Sequence, residues 1–263
     1  MPELPEVEAV CRKLRRDAAG ATIVRALLMR KRDPRLEGHC RNRRLIGIER
    51  RGKNALLHLD GGWSLRVHLR MTGNLYVIPD VRFRVATVRA CFELDGGRGL
   101  VFDDPRALGV IELHRTAELS SVLGALGPEP LSAGFTPAWF EAAARASRQP
   151  VKLFLLDQRR IAGLGNIYAA EALHRARIHP TLPVNRLGPR RLARLHRAIV
   201  DVLTLAVQSA CDAYDGPGSY DSDENFPVAV YGREGLPCPV CRRRVRRIPQ
   251  GGRSTYFCPG CQR

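Results

Sequence analysis

Residues 238–261 read "CPVCRRRVRRIPQGGRSTYFCPGC". Cys238, Cys241, Cys258 and Cys261 form a C-x2-C-x16-C-x2-C pattern. Each pair can grip one side of a tetrahedral ion, and the spacer is long enough for a hairpin. The spacing therefore predicts one structural Zn2+. From Cys238 to the last residue there are seven arginines and no acidic residue. A hairpin so charged suits a phosphate backbone better than a merely solvated face, because nothing balances it.

The same sign of charge runs through the whole chain. Its 263 residues hold 43 Lys and Arg against 26 Asp and Glu, a net charge of +17. That excess predicts a polyanionic partner. Nucleic acid leads; an anionic membrane surface is the alternative, but no basic amphipathic helix with bulky apolar residues stands at an end. No apolar run is long enough to span a bilayer, so a soluble protein with no membrane partner is expected. The start, "MPELPEVEAV", is acidic and broken by proline, unlike an export signal. Thiols are then expected to be reduced, so clustered cysteines point to metal rather than disulfides. The scattered Cys11, Cys40, Cys91 and Cys211 read as small buried hydrophobes.

Upstream of the cysteines the periodicity changes twice. Pro5 suits a first helical turn, and Val7, Val10, Cys11 and Leu14 recur at helical spacing, so a helix is expected over 5–17. Residues 21–114 are short β-type runs such as "NALLHLD" and "SLRVHLR", expected to form an antiparallel sandwich or barrel. The stretch 126–137, "LGPEPLSAGFTP", is a linker by composition and ends in a Thr136–Pro137 helix start. Helical patterns follow at 137–147, 151–157, 166–177 and 189–210, and a loop at 211–226. The expected architecture is α+β and multidomain: residues 1–131 as helix plus antiparallel sandwich, 132–227 as a helical domain, 228–263 as the zinc module.

Four turns stand out chemically. "RRIAGLGN" (159–166) lets backbone approach a ligand closely, and the helix after it can bind phosphate, with Asn166 adding a contact; an ordinary turn with an Asn cap is the alternative. "ERRGKNALLHL" (49–59) puts Lys53 just before a strand, where a lone lysine is usually only solvated. "HLRMTGNL" (68–75) puts Met71 in a polar turn, and "DDPRALG" (103–109) puts Arg106 in another. Met71 is core by default, yet an exposed Met beside an arginine can wedge into a base stack.

Taken together, "PELPEVE", "RRGK", "HLRMTGNL", "DDPR", "LGPEPL", "GLGNIYAAEAL", "VYGREGLPC" and "CPGC" resemble the formamidopyrimidine-DNA glycosylase/endonuclease VIII family, in the family's order and over essentially the whole chain. The resemblance implies an N-terminal helix with a β-sandwich, a helix–two-turn–helix domain and a zinc finger. It implies a bifunctional DNA glycosylase and abasic-site lyase that flips and excises oxidised bases and then cleaves the strand by β,δ-elimination. Its partner is double-stranded DNA bearing oxidised bases or abasic sites; it needs no organic cofactor, acts as a monomer, and works in the bacterial cytoplasm at the nucleoid. The resemblance makes Pro2 the mature terminus and the nucleophile. An α-amino group titrates near ~8, so part of it is unprotonated at neutral pH. It attacks the sugar C1′, displaces the base and leaves an iminium that acidifies the C2′ proton. Glu3 matches the acid–base group at the ring oxygen, with Glu6 in support. Lys53 matches the lysine that holds phosphate near the lesion, Arg253 the zinc-finger arginine of the second elimination, Asn166 a phosphate contact and Arg148 a basic DNA contact. Met71, Arg106 and Leu108 match the trio that fills the vacated stack.

Three stretches depart from that pattern. Where the formamidopyrimidine branch has D-P-R-R-F-G, Leu108 replaces the aromatic wedge. Where that branch has His-x-His, this chain has Thr87 and Arg89, as in the endonuclease VIII branch. "DAYDGPGSYDSDENF" (212–226), with five acidic residues and no basic one, is either a solvated loop repelled by DNA or a lid whose acceptors Asp221, Asp223 and Glu224 favour N–H-rich lesions such as formamidopyrimidines and hydantoins. A non-catalytic zinc-ribbon damage sensor would share the charge and the cysteines, but it has no need of Pro2, Glu3 and Lys53 together.

Overall fold

The stripe of Leu4, Val7, Val10, Cys11 and Leu14 winds into helix α1 (Leu4–Asp17), with Pro5 in its first turn. All five side chains are fully buried, and each aliphatic one contributes about 1.5–3 kcal/mol of burial. A computed structural model of the chain describes residues 2–29, 33–82, 86–214 and 226–263. The chain forms two compact units, one of Met1–Gly124 with Val207–Asn225, the other of Ala125–Ala206 with Phe226–Arg263.

In the first unit, α1 leads into β1 (Thr22–Leu28), a short helix α2 (Pro34–Cys40), then β2 (Arg43–Arg51), β3 (Asn54–Leu59), β4 (Trp63–His68), β5 (Asn74–Ile78), β6 (Val88–Leu94), β7 (Gly99–Asp103), β8 (Val110–Arg115) and the single turn α3 (Leu119–Val122). The strands order as β5-β7-β6-β1-β2-β3-β4-β8, antiparallel throughout. β1 and β2 pair at Thr22↔Arg44 and Ile23↔Arg43, so a short seam joins two four-stranded halves. Alternate residues of both halves face one core: Ala90, Phe92 and Leu94 from one, Ala55, Leu57 and Leu59 from the other, packed with the α1 stripe. This is the expected antiparallel N-terminal domain. Helix α2 was not expected among the strands. Asp33 accepts the Leu36 N–H at 3.0 Å and Pro34 opens the helix, a start signal that the surrounding β pattern hid.

In the second unit, α4 (Pro137–Arg145) starts as expected, with Thr136 Oγ1 accepting the Trp139 N–H at 3.1 Å. Then come α5 (Val151–Leu156), α6 (Asn166–Arg175), α7 (Pro189–Ala213) and the hairpin β9 (Arg246–Gln250) to β10 (Arg253–Phe257). α6 stops short of 177 because Arg177 takes φ 55°, off the helical path. α7 runs through 213, and its end belongs to the first unit, where Ala210 and Tyr214 join the core. The rest of the acidic stretch, 215–225, lies outside the described residues. Cys11, Cys40 and Cys91 are buried as expected; Cys211 is only half-buried, beside Arg12. Among the described residues no helix is long and apolar enough to cross a membrane.

Candidate functional site

The first unit brings Pro2, Glu3 and Glu6 together at the start of α1. Glu3 is the N-cap, in extended conformation, and its carboxylate accepts the Glu6 N–H. Glu6 returns the bond, accepting the Glu3 N–H at 2.6 Å. This reciprocal capping box fixes both carboxylates around the first turn. Pro2 is buried, and Glu3 and Glu6 are each 1% exposed, which is unusual for carboxylates.

One turn on, Glu8 anchors the helix to the sheet. Arg50 of β2 meets it at 3.0 Å, Arg12 at 3.0 Å and Arg15 at 3.4 Å, while Arg15 Nε donates to the Ile48 carbonyl at 2.6 Å. Burial alone would raise the Glu8 carboxyl; hydrogen bonds and charge from Arg12, Arg50 and Arg15 outweigh it and hold the group below the usual carboxylate range. β2 ends in the tight turn that carries Lys53. Gly52 takes φ 58° there, with Arg51 and Asn54 paired across the turn. Lys53 is half-buried and directly precedes β3, as expected.

His68 was not singled out by sequence. It pairs across strands with Asn54, next to Lys53. Burial, then the positive charges of Arg70, Lys53 and Arg66, push its pKa down to about 4. Its Nδ1 accepts the Arg70 N–H at 3.1 Å, so the neutral ring keeps its proton on Nε2. A neutral donor thus stands beside a cation. The signal was present in "HLRMTGNL", but only strand register places the ring at Lys53.

Met71 is 43% exposed and Leu108 45%, and Arg106 is exposed without an ion pair among the described residues. Met71 therefore sits outside the core. Two loops present the trio, and one buried carboxylate joins them. Asp104, fully buried, accepts the Thr72 hydroxyl at 2.5 Å and the Gly109 N–H at 2.7 Å. Thr72 Oγ1 in turn accepts the Arg106 N–H at 3.3 Å. Arg89, one of the two residues that depart from the His-x-His pattern, donates to the carbonyls of Asp104 at 2.8 Å and Pro105 at 3.0 Å. Gly73 is obligatory in its loop: a Cβ would lie 2.4 Å from the Leu69 carbonyl oxygen.

The second unit gathers Asn166 and Lys152 around the carbonyl of Ser254, the residue after Arg253. Ser254 O accepts Lys152 Nζ at 3.0 Å and Asn166 Nδ2 at 3.1 Å. Lys152 is fully buried and also donates to Thr255 Oγ1 at 2.7 Å. Gly251 and Gly252, at φ 57° and 71°, make the tight turn before exposed Arg253. A Cβ at Gly251 would lie 2.6 Å from Leu153 Cδ2, so the hairpin tip seats on α5. Asn166 is not the N-cap; Gly165 is, and Asn166 is the first helical residue. Its Oδ1 is buried with no hydrogen-bond partner among the described residues. Arg148 is exposed on the α4–α5 turn, apart from this cluster.

The sulfurs of Cys238, Cys241, Cys258 and Cys261 all lie within 4.8 Å of one another, with 3.9 Å between Cys238 and Cys261 and 3.3 Å between Cys241 and Cys258. A tetrahedral tetrathiolate with Zn–S near 2.3 Å needs sulfurs roughly 3.8 Å apart, so the four fit zinc. The Val240 N–H points at Cys238 Sγ from 3.4 Å.

Three family models match the chain: the formamidopyrimidine-DNA glycosylase N-terminal domain over residues 1–111, the formamidopyrimidine-DNA glycosylase H2TH domain over 126–214, and a zinc finger found in FPG and IleRS over 235–263. The chain is similar to the formamidopyrimidine-DNA glycosylase of Chloroflexus aggregans, 41% identical over 100% of this chain and 98% of that one. Among solved structures it resembles the MutM (Fpg) protein of Thermus thermophilus, with a TM-score of 0.86, 40% identity and coverage of 99% and 98% of the two chains. It also resembles the Lactococcus lactis Fpg in complex with an abasic site containing DNA, with a TM-score of 0.89, 30% identity and full coverage of both chains.

Proposed function

This chain belongs to the formamidopyrimidine-DNA glycosylase family, and on that premise we propose which of its residues perform each part of the reaction. It is a DNA glycosylase with abasic-site lyase activity toward oxidised bases. Removal of Met1 leaves Pro2 with a secondary amine. The amine nitrogen attacks C1′ of the damaged nucleotide, and the bond from C1′ to the base breaks, the departing base keeping the electron pair and taking up a proton from water. Glu3 takes the proton that the attacking nitrogen gives up and passes it to the ring oxygen, the ring opens, and the nitrogen lone pair forms an iminium with C1′. Loss of the C2′ proton then expels the 3′ phosphate, and a second elimination expels the 5′ phosphate. Hydrolysis of the iminium returns the free amine.

The remaining residues hold the substrate. Lys53 and the neutral Nε2–H of His68 grip the phosphate beside the lesion. Asn166 and Arg253 serve the backbone, Arg253 also assisting the second elimination, and Arg148 adds a basic contact. Met71 and Leu108 fill the vacated stack while Arg106 faces the orphaned base. Leucine stacks less well than the aromatic residue it replaces, so Met71 takes a larger share. Cys238, Cys241, Cys258 and Cys261 would hold one zinc ion, whose chemistry is structural, keeping the Arg253 hairpin folded.

The observation that carries this reading is the capping box: it fixes a buried carboxylate one residue from the proposed nucleophile. The test is borohydride trapping on an oligonucleotide with an abasic site. The protein should appear covalently joined to DNA, and intact mass should show Met1 absent. Pro2→Gly should slow or abolish trapping, and Lys53→Ala should impair base removal more than processing of a preformed abasic site. Undiminished trapping by protein that keeps Met1, whose Pro2 nitrogen is a tertiary amide, would refute the mechanism.

A further inference from the structure

One face of α6 lies against the metal-binding cysteines. Ala170 belongs to the buried cluster of Val230, Cys238, Val245 and Cys258. His174 follows one turn later on the same face, is 7% exposed, and places Nε2 at 3.4 Å from Cys238 Sγ. The four cysteines alone complete a tetrahedral site, so this imidazole is not needed as a ligand. What the ring adds is a ring nitrogen, Nε2, aimed at a sulfur.

We propose that His174 donates its Nε2–H to the Cys238 thiolate and so raises the hold of the zinc finger on its metal. Four thiolates around a dication leave a net charge of about −2 in a largely buried setting, which is costly unless donors share it. Cys238 Sγ then receives two such donors, the Val240 N–H and the imidazole. A hydrogen bond to a thiolate withdraws electron density. The sulfur is then a poorer base and a poorer nucleophile toward protons and oxidants, the two agents that strip zinc from cysteine. Cys238 is fully buried, whereas Cys241 is exposed, so the ring guards the inner side of the site.

The inference rests on the four cysteines binding zinc, and the experiment separates the two claims. The full-length protein is loaded with zinc and challenged with a chelator, or with hydrogen peroxide, while a metallochromic dye reports release. Three forms are compared: wild type, His174→Phe and His174→Gln. Phe keeps the bulk without the donor, and Gln supplies a donor without the ring. His174→Phe should lose zinc about 10–100-fold more readily, the range seen when a ligand's hydrogen-bond partner is removed. His174→Gln should fall between the two. In the cobalt-substituted protein, the sulfur-to-metal charge-transfer band should shift in the Phe variant and return toward wild type in the Gln variant. Equal release rates and unchanged cobalt spectra in all three would show that His174 only fills space and would overturn the proposal. A wild-type spectrum of three sulfurs and one nitrogen would overturn it too, by making His174 a ligand. Should the Phe variant fail to fold, His174→Leu, which likewise removes the donor, takes its place against the Gln variant, and equal release with unshifted bands in wild type, Leu and Gln forms would overturn the proposal. Wild-type protein that takes up neither zinc nor cobalt would defeat the metal assignment itself.

Discussion

Asp104 shows how much one side chain can organise. Both of its oxygens are taken by donors, the Thr72 hydroxyl and the Gly109 N–H, and its burial leaves no water to replace them. The loops bearing Met71 on one side and Arg106 and Leu108 on the other are thereby held as one piece. Asp104→Asn turns one acceptor into an N–H facing a donor. We expect a loss of about 1–3 kcal/mol, the cost of unsatisfied buried groups, read as a lower urea midpoint with unchanged slope. Excision of a stacked lesion should fall further than cleavage at a preformed abasic site, because only the former requires the wedge to replace a base. Equal loss on both substrates would show that Asp104 serves general stability alone. Leu108→Phe, which restores an aromatic wedge, should raise lesion excision and leave abasic cleavage unchanged; equal rates would remove stacking as the limit.

At the scale of elements, α1 is an amphipathic helix whose catalytic end is placed by its middle. Glu8 ties it to β2, the strand that leads into the Lys53 turn, so the helix cannot slide along the sheet without breaking charged hydrogen bonds. Glu8→Gln keeps the shape and removes the charge, at a cost of about 1.5–3 kcal/mol near pH 7. The folded state holds this carboxyl below its ordinary range, so the stabilisation is complete above the unfolded value of about 4.3. It is lost as the pH falls through the lowered folded value. Urea midpoints of wild type and variant should therefore differ most at neutral pH and converge in acid. A gap that stays constant from pH 7 to pH 3.5 would mean that the charge is irrelevant.

For the whole molecule, the net charge of +17 and the folded hairpin act together. Each neutralised phosphate releases counterions, so log affinity should fall linearly with log salt, with a slope of about −0.9 per phosphate contacted. Arg253→Ala should reduce that slope by about one if its side chain reaches a phosphate. Chelation of the metal should unfold the β9–β10 hairpin and displace Arg253, since the binding energy of such a small site is folding energy. Cys258→Ser should likewise cost DNA binding while circular dichroism still reports a folded N-terminal sheet. Metal-free protein with undiminished affinity would contradict this.

Local rules were enough for much of this protein. The helical stripe from Val7 to Leu14, the β-type run "NALLHLD", the Thr136–Pro137 start of α4 and the cysteine spacing each express a preference set by neighbours in the chain. The sequence motifs that resemble a known family likewise named Pro2, Glu3, Lys53, Asn166 and Arg253 as candidates. Other residues took their meaning only from distant partners. Asp33–Pro34 is a good helix start, yet the strand pattern around it masked α2. Arg89 became a clamp because β6 sets it beside the 104–105 carbonyls, and His68 became a neutral donor because it is buried among Arg70, Lys53 and Arg66. Lys152 meets Ser254 across 102 residues of chain, and His174 meets Cys238 across 64. Periodicity and caps act within a few residues and are legible in one dimension. Burial, tautomer and the pairing of remote groups exist only once the chain has closed on itself, because desolvation and hydrogen bonding depend on what surrounds a group in space.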